Sequence, residues 1–330
     1  MFTSTSTRTS QLARLAVFCA LLALALALLS ACGASTTSTG GTSTSNAPQH
    51  PVFATDALGN PITIPARAPQ RIVSETAADS EILAALGVDA RVVAVDFYTD
   101  TPADLAAKPK ITDGQSFNLN VEAIIGYHPD LVLGYNIFFK SDEEKLLAAG
   151  VPVVDLPNVA TIQNSLDELT LVGQLTHEDA TAQRVVADLQ KRISAVKTKV
   201  AGTASPTVYM ESGTYNGQFS TFGKGSYGDE LIRTAVGTNI FAGDADSGGY
   251  PNVSAEAIVK ANPQVIVTTE GGPDGSPSTV AARPGWSAIA AVQSGHVYAL
   301  DMNDFGRPDA PRIVNALEAL AKALHPNLFT

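Results

Sequence analysis

Short apolar runs alternate with segments of helical spacing along most of the chain. The apolar runs RIVSE, RVVAVDF, DLVLGY and VPVVDLP are typical of buried strands, and DSEILAALG, VEAIIGYH and DEEKLLAAG lie between them as helices. Strand, helix and strand with short connections predict βαβ units and a mostly parallel sheet. The alternation begins again at TVYMES and ends with APRIVNALEALAKAL. The pattern therefore predicts an α/β protein with two Rossmann-like lobes.

One long helical segment, residues 177–202, lies between the two halves. No Pro or Gly interrupts it before Gly202, and acids gather at its start and lysines at its end, as the helix dipole favours. We expect it to join an N-terminal lobe, residues 52–176, to a C-terminal lobe, residues 203–330, as a rigid strut beside a ligand cleft that opens only slightly. Apolar residues recur along it at steps of three and four: Val186, Leu189, Ile193, Val196 and Val200.

The first 51 residues do not follow this pattern. Arg8 and Arg14 precede an uncharged apolar run that is short for a membrane span and ends in small residues before Cys32. Residues 1–31 therefore resemble a bacterial lipoprotein signal, with Cys32 as the lipidated residue; a plain signal peptide or an anchor helix is the alternative. The Ser/Thr/Gly tract that follows, up to residue 51, predicts a disordered tether.

Processing of this kind determines where the protein works and what its cysteines can do. We expect a secreted protein held by a lipid anchor alone on the outer face of the cytoplasmic membrane, which is the periplasm in a host with an outer membrane. Cys19 lies in the removed segment, so disulfides and thiolate catalysis are excluded from the mature chain.

The composition limits the kinds of partner. With 330 residues, 45% of them hydrophobic and 16% charged, the chain is long enough for two folded domains. The formal charge of −11 becomes −13 once the two arginines of the leader are removed. Such a charge argues against nucleic acid or an anionic membrane surface as a partner.

One phrase occurs twice in the chain, 134 positions apart. NVEAIIGYHPDLVLG starts at Asn120 and SAEAIVKANPQVIVT starts at Ser254; both have Glu at the third position and Pro at the tenth. A helix that ends before Pro and leads into a buried strand explains everything except the two acids. Glu122 and Glu256 stand in the first helical turn, where a carboxylate stabilises the helix N-terminus. Capping alone is therefore sufficient to explain them.

The order of these segments resembles class III substrate-binding proteins of ABC importers for iron–siderophore complexes, cobalamin and haem. The resemblance runs from about Val52 to Pro326 and rests on PQRIVSETAADSEILAALGVDARVVAVDFYTDTP, both copies of the repeat and RPDAPRIVNALEALAKALHP. It implies that Glu122 and Glu256 dock onto arginines of the permease. It also implies partnership with that permease and its ATPase, and a monomeric protein without a cofactor of its own.

Ligand contacts are expected where strands end. In open α/β sheets ligands gather at the carboxyl ends of strands, and many aromatic residues of this chain fall in the loops there. Converging aromatics would line a wide, mostly apolar cleft that suits a large rigid metal chelate. The predicted ligand-binding residues are Glu75, Phe97, Tyr98, Tyr135, Tyr215, Phe222, Tyr250, Trp286 and Arg307.

The identity of the chelate stays open between an iron–siderophore and a cobalamin-type ligand. By resemblance, Tyr98, Tyr135, Tyr250 and Arg307 occupy positions that cobalamin binders use. An anionic siderophore would need arginines, for which Arg307 is better placed than Arg283. Haem is a further alternative, with Tyr98 as its axial ligand. A bare metal ion is not expected, since the chain has no His and carboxylate cluster of suitable spacing.

The alternative from another class is a surface-anchored cleft hydrolase. GKGSYG has Lys224 where a nucleophile elbow needs Gly, and the sequence contains neither a phosphate-binding loop nor an HExxH motif. Loop acids more often form turns than carry out catalysis. We therefore expect a binding protein and not an enzyme.

Overall fold

The computed structural model describes residues 52–114, 118–134, 136–215, 218–243, 248–269, 275–309 and 311–329, without the side chains of residues 136–138 and 215. The predicted signal peptide, Cys32, the tether and Tyr135 lie outside the described residues.

The described residues contain ten strands and twelve α-helices in mostly alternating order. The strands are β1 (Ile72–Ser74), β2 (Val92–Val95), β3 (Leu131–Gly134), β4 (Val153–Asp155), β5 (Thr207–Tyr215), β6 (Gln218–Thr221), β7 (Thr238–Asn239), β8 (Asn252–Val253), β9 (Val265–Thr268) and β10 (Val297–Ala299). The helices are α1 (Ala77–Ala85), α2 (Ala103–Ala106), α3 (Val121–Gly126), α4 (Asn136–Ala148), α5 (Ile162–Thr176), α6 (Asp179–Val200), α7 (Tyr227–Thr234), α8 (Ala255–Ala261), α9 (Pro277–Ala281), α10 (Ala290–Gln293), α11 (Met302–Gly306) and α12 (Arg312–Leu324). Short 3₁₀ turns lie at Asp89–Arg91, Trp286–Ala288 and Pro326–Leu328.

The first sheet is parallel throughout, in the order β2-β1-β3-β4. Ile72 lies opposite Val92 on one side and Leu131 on the other, and Val132 lies opposite Val153. All four strands are short and largely buried, as expected when helices cover both faces of a parallel sheet. The βαβ prediction for this half is confirmed.

The second sheet is mixed. Its order is β10-β9-β5-β6-β8, with β7 also paired to β5. Strands β10, β9, β5 and β7 pair in parallel, whereas β6 and β8 join antiparallel. Sequence patterning did not reveal β6 and β8, because β6 is only partly buried and β8 has two residues. The α/β class is therefore confirmed, with an antiparallel edge added to this half.

Helix α6 extends over 22 residues and confirms the predicted helix between the halves. Leu189, Ile193, Val196 and Val200 are buried, as their spacing predicts. They belong to one continuous hydrophobic cluster that also includes residues of both sheets and of α5, α7 and α12. Described residues 52–329 form a single compact unit, so the assignment of two separate domains stays a prediction. A large apolar interface of this kind restricts relative motion of the halves.

The two repeats fold alike down to single backbone angles. The side chains of Asn120 and Ser254 accept the N–H groups of residues three positions ahead, at the starts of α3 and α8. A residue with a left-handed backbone follows each helix, His128 at φ 47° two residues after α3 and Asn262 at φ 48° directly after α8. Each of these residues precedes the proline of the repeat, and a buried strand follows. The repeated phrase is thus one helix-to-strand unit used in both halves.

Candidate functional site

A cavity of about 530 Å³ lies between the carboxyl edge of the first sheet and α11 with the loop that follows it. This volume is in the usual range of small-molecule sites. Strand β1 contributes the loop that begins at Glu75, and β2 contributes Asp96 and Tyr98. The lining residues are Glu75, Thr76, Ala77, Ala78, Asp79, Asp96, Tyr98, Thr112, Gly114, Phe139, Asn158, Val159, Glu168, Tyr227, Tyr250, Met302, Asn303, Gly306, Arg307, Pro308 and Asp309.

Five carboxyl groups line this cavity, and we call them the acidic floor: Glu75, Asp79, Asp96, Glu168 and Asp309. Topology explains the first three, because β1 and β2 are neighbouring parallel strands and α1 starts directly after β1. Helix α5 brings Glu168, and the loop after α11 brings Asp309. Asp309 is partly buried, and the other four are buried.

Burial dominates the electrostatics of the acidic floor. It raises the pKa of Asp79 well above the ordinary range, with the Asp309 carboxyl adding to the effect and a hydrogen bond from Thr76 opposing it. Burial also raises the pKa of Glu168 well above its ordinary value and raises that of Asp309; these two carboxyls hydrogen-bond each other. Burial raises the pKa of Asp96 against the hydrogen bonds from Thr99 and the Tyr98 N–H. Asp79, Asp96, Glu168 and Asp309 therefore keep their protons at a higher pH than solvated carboxyls do.

Three tyrosines form the aromatic wall of the cavity: Tyr98, Tyr227 and Tyr250. Tyr98 donates its hydroxyl to the carbonyl of Gly114 over 2.7 Å and keeps half of its surface exposed. Burial raises the pKa of the Tyr250 hydroxyl. Phe222 lies beneath Tyr227 and Tyr250, with ring centres 5.2 and 5.8 Å away, and fixes both rings.

Arg307 lines the cavity, but acids of the N-terminal half already bind it. It donates to Glu81 over 2.8 Å, to Asp100 over 2.9 Å and to the carbonyl of Tyr98 over 3.0 Å. Burial lowers the pKa of Arg307, yet the hydrogen bonds to Asp100 and Glu81 outweigh it and raise the pKa overall. Arg307 was predicted to bind the ligand and to be the better-placed arginine for an anionic siderophore. Its charge is instead neutralised within the protein by Glu81 and Asp100, and contact with a ligand stays a prediction.

Arg312 completes the same network, which we call the clasp: Glu81, Asp100, Asp304, Arg307 and Arg312. Arg312 donates to both oxygens of Glu81 and, over 3.1 Å, to Asp304. Glu81 stands on α1 and the arginines follow α11, so the clasp joins the two halves at the mouth of the cavity. Charge-assisted contacts of this geometry hold the halves in one relative position.

Trp286 does not contact the cavity. It is 0% exposed and lies in the core of the C-terminal half against Tyr209 and Phe219, with ring centres 6.0 and 5.4 Å away. Arg283, the second arginine considered for anions, donates to Glu211 over 2.6 and 2.8 Å and stacks on the Trp286 ring. Both predicted roles are wrong, because a large ring and a paired guanidinium are buried together beneath the second sheet.

The other predicted residues divide into three groups. Glu75, Tyr98 and Tyr250 line the cavity, and their binding of a ligand stays a prediction. Phe222 supports the wall without lining it, and Phe97 lies outside the lining, 51% exposed, with its ring against Tyr98. Tyr215 ends β5, and its side chain is not described; Tyr135 lies outside the described residues. Sequence reasoning missed Asp79, Asp96, Tyr227, Glu168 and Asp309.

Glu122 and Glu256 are exposed in the first turns of α3 and α8, one in each half. Hydrogen bonds from its own backbone N–H and from the Ser254 hydroxyl lower the pKa of Glu256. This geometry is helix capping, so capping is observed for Glu256 and docking stays a prediction for both.

Every helix among the described residues is too short or too polar to span a lipid bilayer. Among the same residues, no group of three or more His, Cys, Asp or Glu side chains is arranged to hold a metal ion.

The chain is similar to known proteins over most of its length. Residues 72–303 match the family described as periplasmic binding protein. An uncharacterized ABC transporter substrate-binding lipoprotein of Bacillus subtilis is 28% identical over 96% of this chain and 98% of its own. A cobalamin-binding protein of Halobacterium salinarum is 30% identical over 83% of this chain and 74% of its own. The solved structure of a periplasmic heme-binding protein from Roseiflexus has a TM-score of 0.68 at 25% identity, covering 78% of this chain and 99% of that one.

Proposed function

Because the chain belongs to the periplasmic binding protein family, we propose that it binds a cobalamin-type corrinoid in the cavity and delivers it to the permease of an ABC importer. Its role is that of the solute-binding component, outside the cytoplasmic membrane. The relatives named as ABC transporter substrate-binding and cobalamin-binding proteins support this role. Transfer to a permease and its ATPase follows from it.

The observation that carries the choice of ligand is the neutralised Arg307. It is the one arginine or lysine that lines the cavity within the described residues, and Glu81 and Asp100 already bind it. An anionic ferric catecholate would meet the acidic floor without a free cation to offset its charge. A corrinoid carries neutral carboxamides around an apolar ring. The ring suits the aromatic wall, and the carboxamides suit the hydrogen-bond acceptors of the acidic floor. Haem brings two propionates and meets the same electrostatic obstacle.

The experiment is isothermal titration of the full-length protein in detergent against cyanocobalamin, haem, a ferric catecholate and the cationic hydroxamate complex ferrioxamine B. We expect cyanocobalamin to bind at micromolar concentration or tighter and to be recovered unchanged after prolonged incubation. Recovery of a hydrolysed product would favour the cleft enzyme. Binding of the ferric catecholate or haem without cyanocobalamin would refute the corrinoid proposal. Titration is preferred to fluorescence because Trp286 lies away from the cavity.

We further propose that Cys32 carries the lipid anchor, since a relative covering nearly the whole chain is named a lipoprotein. Replacing Cys32 with Ala should move the protein from the membrane fraction to the soluble fraction and abolish labelling by radioactive palmitate. Retention in the membrane with the label lost would indicate an uncleaved anchor helix.

A further inference from the structure

We propose that Asp79 and Glu168 form a subsite of the acidic floor that accepts hydrogen bonds from a carboxamide NH₂ group of the bound ligand. The subsite deepens the proposed function and rests on it, since the carboxamide is that of a corrinoid. Unlike the aromatic wall and Arg307, the subsite would recognise a polar group of the ligand.

Both side chains line the cavity, and each has one buried oxygen without a partner. Asp79 is 2% exposed and Glu168 is 3% exposed, and both line the cavity. Within the described residues, Oδ2 of Asp79 and Oε2 of Glu168 have no hydrogen-bond partner. Native proteins rarely leave buried carboxyl oxygens unsatisfied, because the cost of removing them from water is not recovered. An unpartnered oxygen on a side chain that lines the cavity is therefore suited to a donor that arrives with the ligand.

A second aspartate of the same chain shows that helix capping does not require this arrangement. Asp79 and Asp229 each stand three residues after a hydroxyl N-cap, Thr76 and Ser226, and each is 2% exposed. The carboxylate of Asp229 is paired through both oxygens, with Arg233 over 3.1 Å and Asn239 over 2.9 Å. Asp79 stands in the same local position with its Oδ2 unpartnered. The surroundings differ, because Asp79 lines the cavity and Asp229 does not.

Neighbouring charges favour a donor at this place. The pKa of Asp79 is raised by the charges of Asp309, Asp96 and Asp155. The pKa of Glu168 is raised by the charges of Asp309 and Asp79. A donated hydrogen bond offsets this accumulation of acceptors, whereas a ligand carboxylate would add to it. The hydrogen bond between Glu168 and Asp309 occupies one side of Glu168 and leaves Oε2 for the ligand.

The test uses titration calorimetry on the full-length protein in detergent with two changes, one on the protein and one on the ligand. Asp79→Asn and Glu168→Gln keep the size of each side chain and exchange one acceptor oxygen for a donor. Asp229→Asn is the matched control outside the cavity. On the ligand side, cyanocobalamin is compared with its monocarboxylic acids, in each of which one peripheral carboxamide has become a carboxylate.

We expect Asp79→Asn and Glu168→Gln each to weaken cyanocobalamin binding by about tenfold, the usual effect of losing one hydrogen bond at a buried polar group. Asp229→Asn should stay within about twofold of wild type. Wild type should discriminate at least tenfold against one monocarboxylic acid, and the double variant Asp79→Asn/Glu168→Gln should lose that discrimination because its amides donate to the acid. The ligand comparison on wild type does not depend on whether any variant folds.

The outcomes separate the subsite from the proposed function. If wild type binds cyanocobalamin while both cavity variants match Asp229→Asn and every monocarboxylic acid binds equally, the subsite is overturned and the corrinoid function stands. If wild type does not bind cyanocobalamin, the corrinoid proposal fails. Binding of ferrioxamine B that depends on Asp79 would then assign the same acceptors to an ammonium group and overturn the carboxamide.

Discussion

The clasp offers a quantitative test of how the two halves are held together. The contact between Arg307 and Glu81 is 2.8 Å long, and the two side chains are only 14% and 10% exposed. An ion pair this shielded contributes more than an exposed pair, for which 0–1 kcal/mol is usual, so we expect a coupling free energy of about 1–2 kcal/mol. The contact to Asp100 adds little, because that side chain is 61% exposed and is screened by solvent.

The network also predicts an order among the single variants. Replacing Glu81 with Gln weakens three hydrogen bonds and leaves Arg307 and Arg312 without their shared carboxylate. Replacing Arg307 with Gln leaves Glu81 still bound to Arg312. We expect Glu81→Gln to lower the free energy of unfolding by about 2–4 kcal/mol and Arg307→Gln by about 1–2 kcal/mol, from the loss of charge-assisted hydrogen bonds.

Urea unfolding of wild type, both single variants and the double variant gives the coupling as a double-mutant cycle. A coupling below about 0.3 kcal/mol, or an Arg307→Gln variant less stable than Glu81→Gln, would refute this account of the clasp. Glu81→Gln should also free positive charge at the cavity mouth and strengthen binding of a ferric catecholate. No gain for that ligand would show that the neutralisation of Arg307 does not set the charge preference.

Three further results are expected. The pKa of Glu168 is higher in the folded than in the unfolded protein, so the free energy of unfolding should fall as pH rises from about 4 through the folded pKa, by about 1.4 kcal/mol per unit of pKa difference. Urea unfolding at several pH values measures this fall, and Glu168→Gln should flatten it. Gly134→Ala should displace the Glu143 carboxyl, which lies 2.6 Å from the position of the new methyl group, and destabilise the fold by about 1–3 kcal/mol in thermal unfolding. An unchanged melting temperature would show that Glu143 moves freely. Glu122→Ala with Glu256→Ala should reduce transport in reconstituted vesicles and leave ligand affinity unchanged; normal transport would leave capping as the whole role of both acids.

Periodicity predicted the fold where burial is one-sided or complete. The strand and helix patterns of the first half and the stripe that includes Leu189 and Ile193 were sufficient to predict these elements. Each face of such an element stays in one environment, buried or exposed, along its whole length. Helix α5 was not predicted, although its sequence contains the signal: Gln163, Asp167, Thr170 and Gln174 recur at helical spacing as a polar face, and most of its other residues are buried. The two-residue strand β8 depends on its partner β6 and carries no pattern of its own.

The site was harder to predict than the fold because its residues meet through topology. The rule that ligands gather at strand ends located Glu75 and Tyr98, which directly follow β1 and β2. Asp79 looked like any acid in a first helical turn, although a weak signal existed: Asp229 has Arg233 one turn later, whereas Asp79 has Leu83 there. Glu168 could have been found as an acid on the side of α5 away from its polar face, three and four residues before Leu171 and Val172. Arg307 was found, but only three-dimensional contacts show that Glu81 and Asp100 already bind it.

The shared core and the clasp together predict how the importer meets this protein. One hydrophobic cluster extends through both sheets and α6, and the clasp joins the halves at the cavity mouth, so ligand binding should change their relative position little. The separation of Glu122 and Glu256 would then be nearly the same with and without ligand. If both acids dock onto the permease, the ligand-free protein should compete with the loaded protein for it. Adding ligand-free protein to reconstituted vesicles should therefore inhibit uptake, and a Glu122→Ala/Glu256→Ala variant should not. Uptake that ligand-free protein leaves unchanged would mean that the halves move on binding or that the docking surface lies elsewhere.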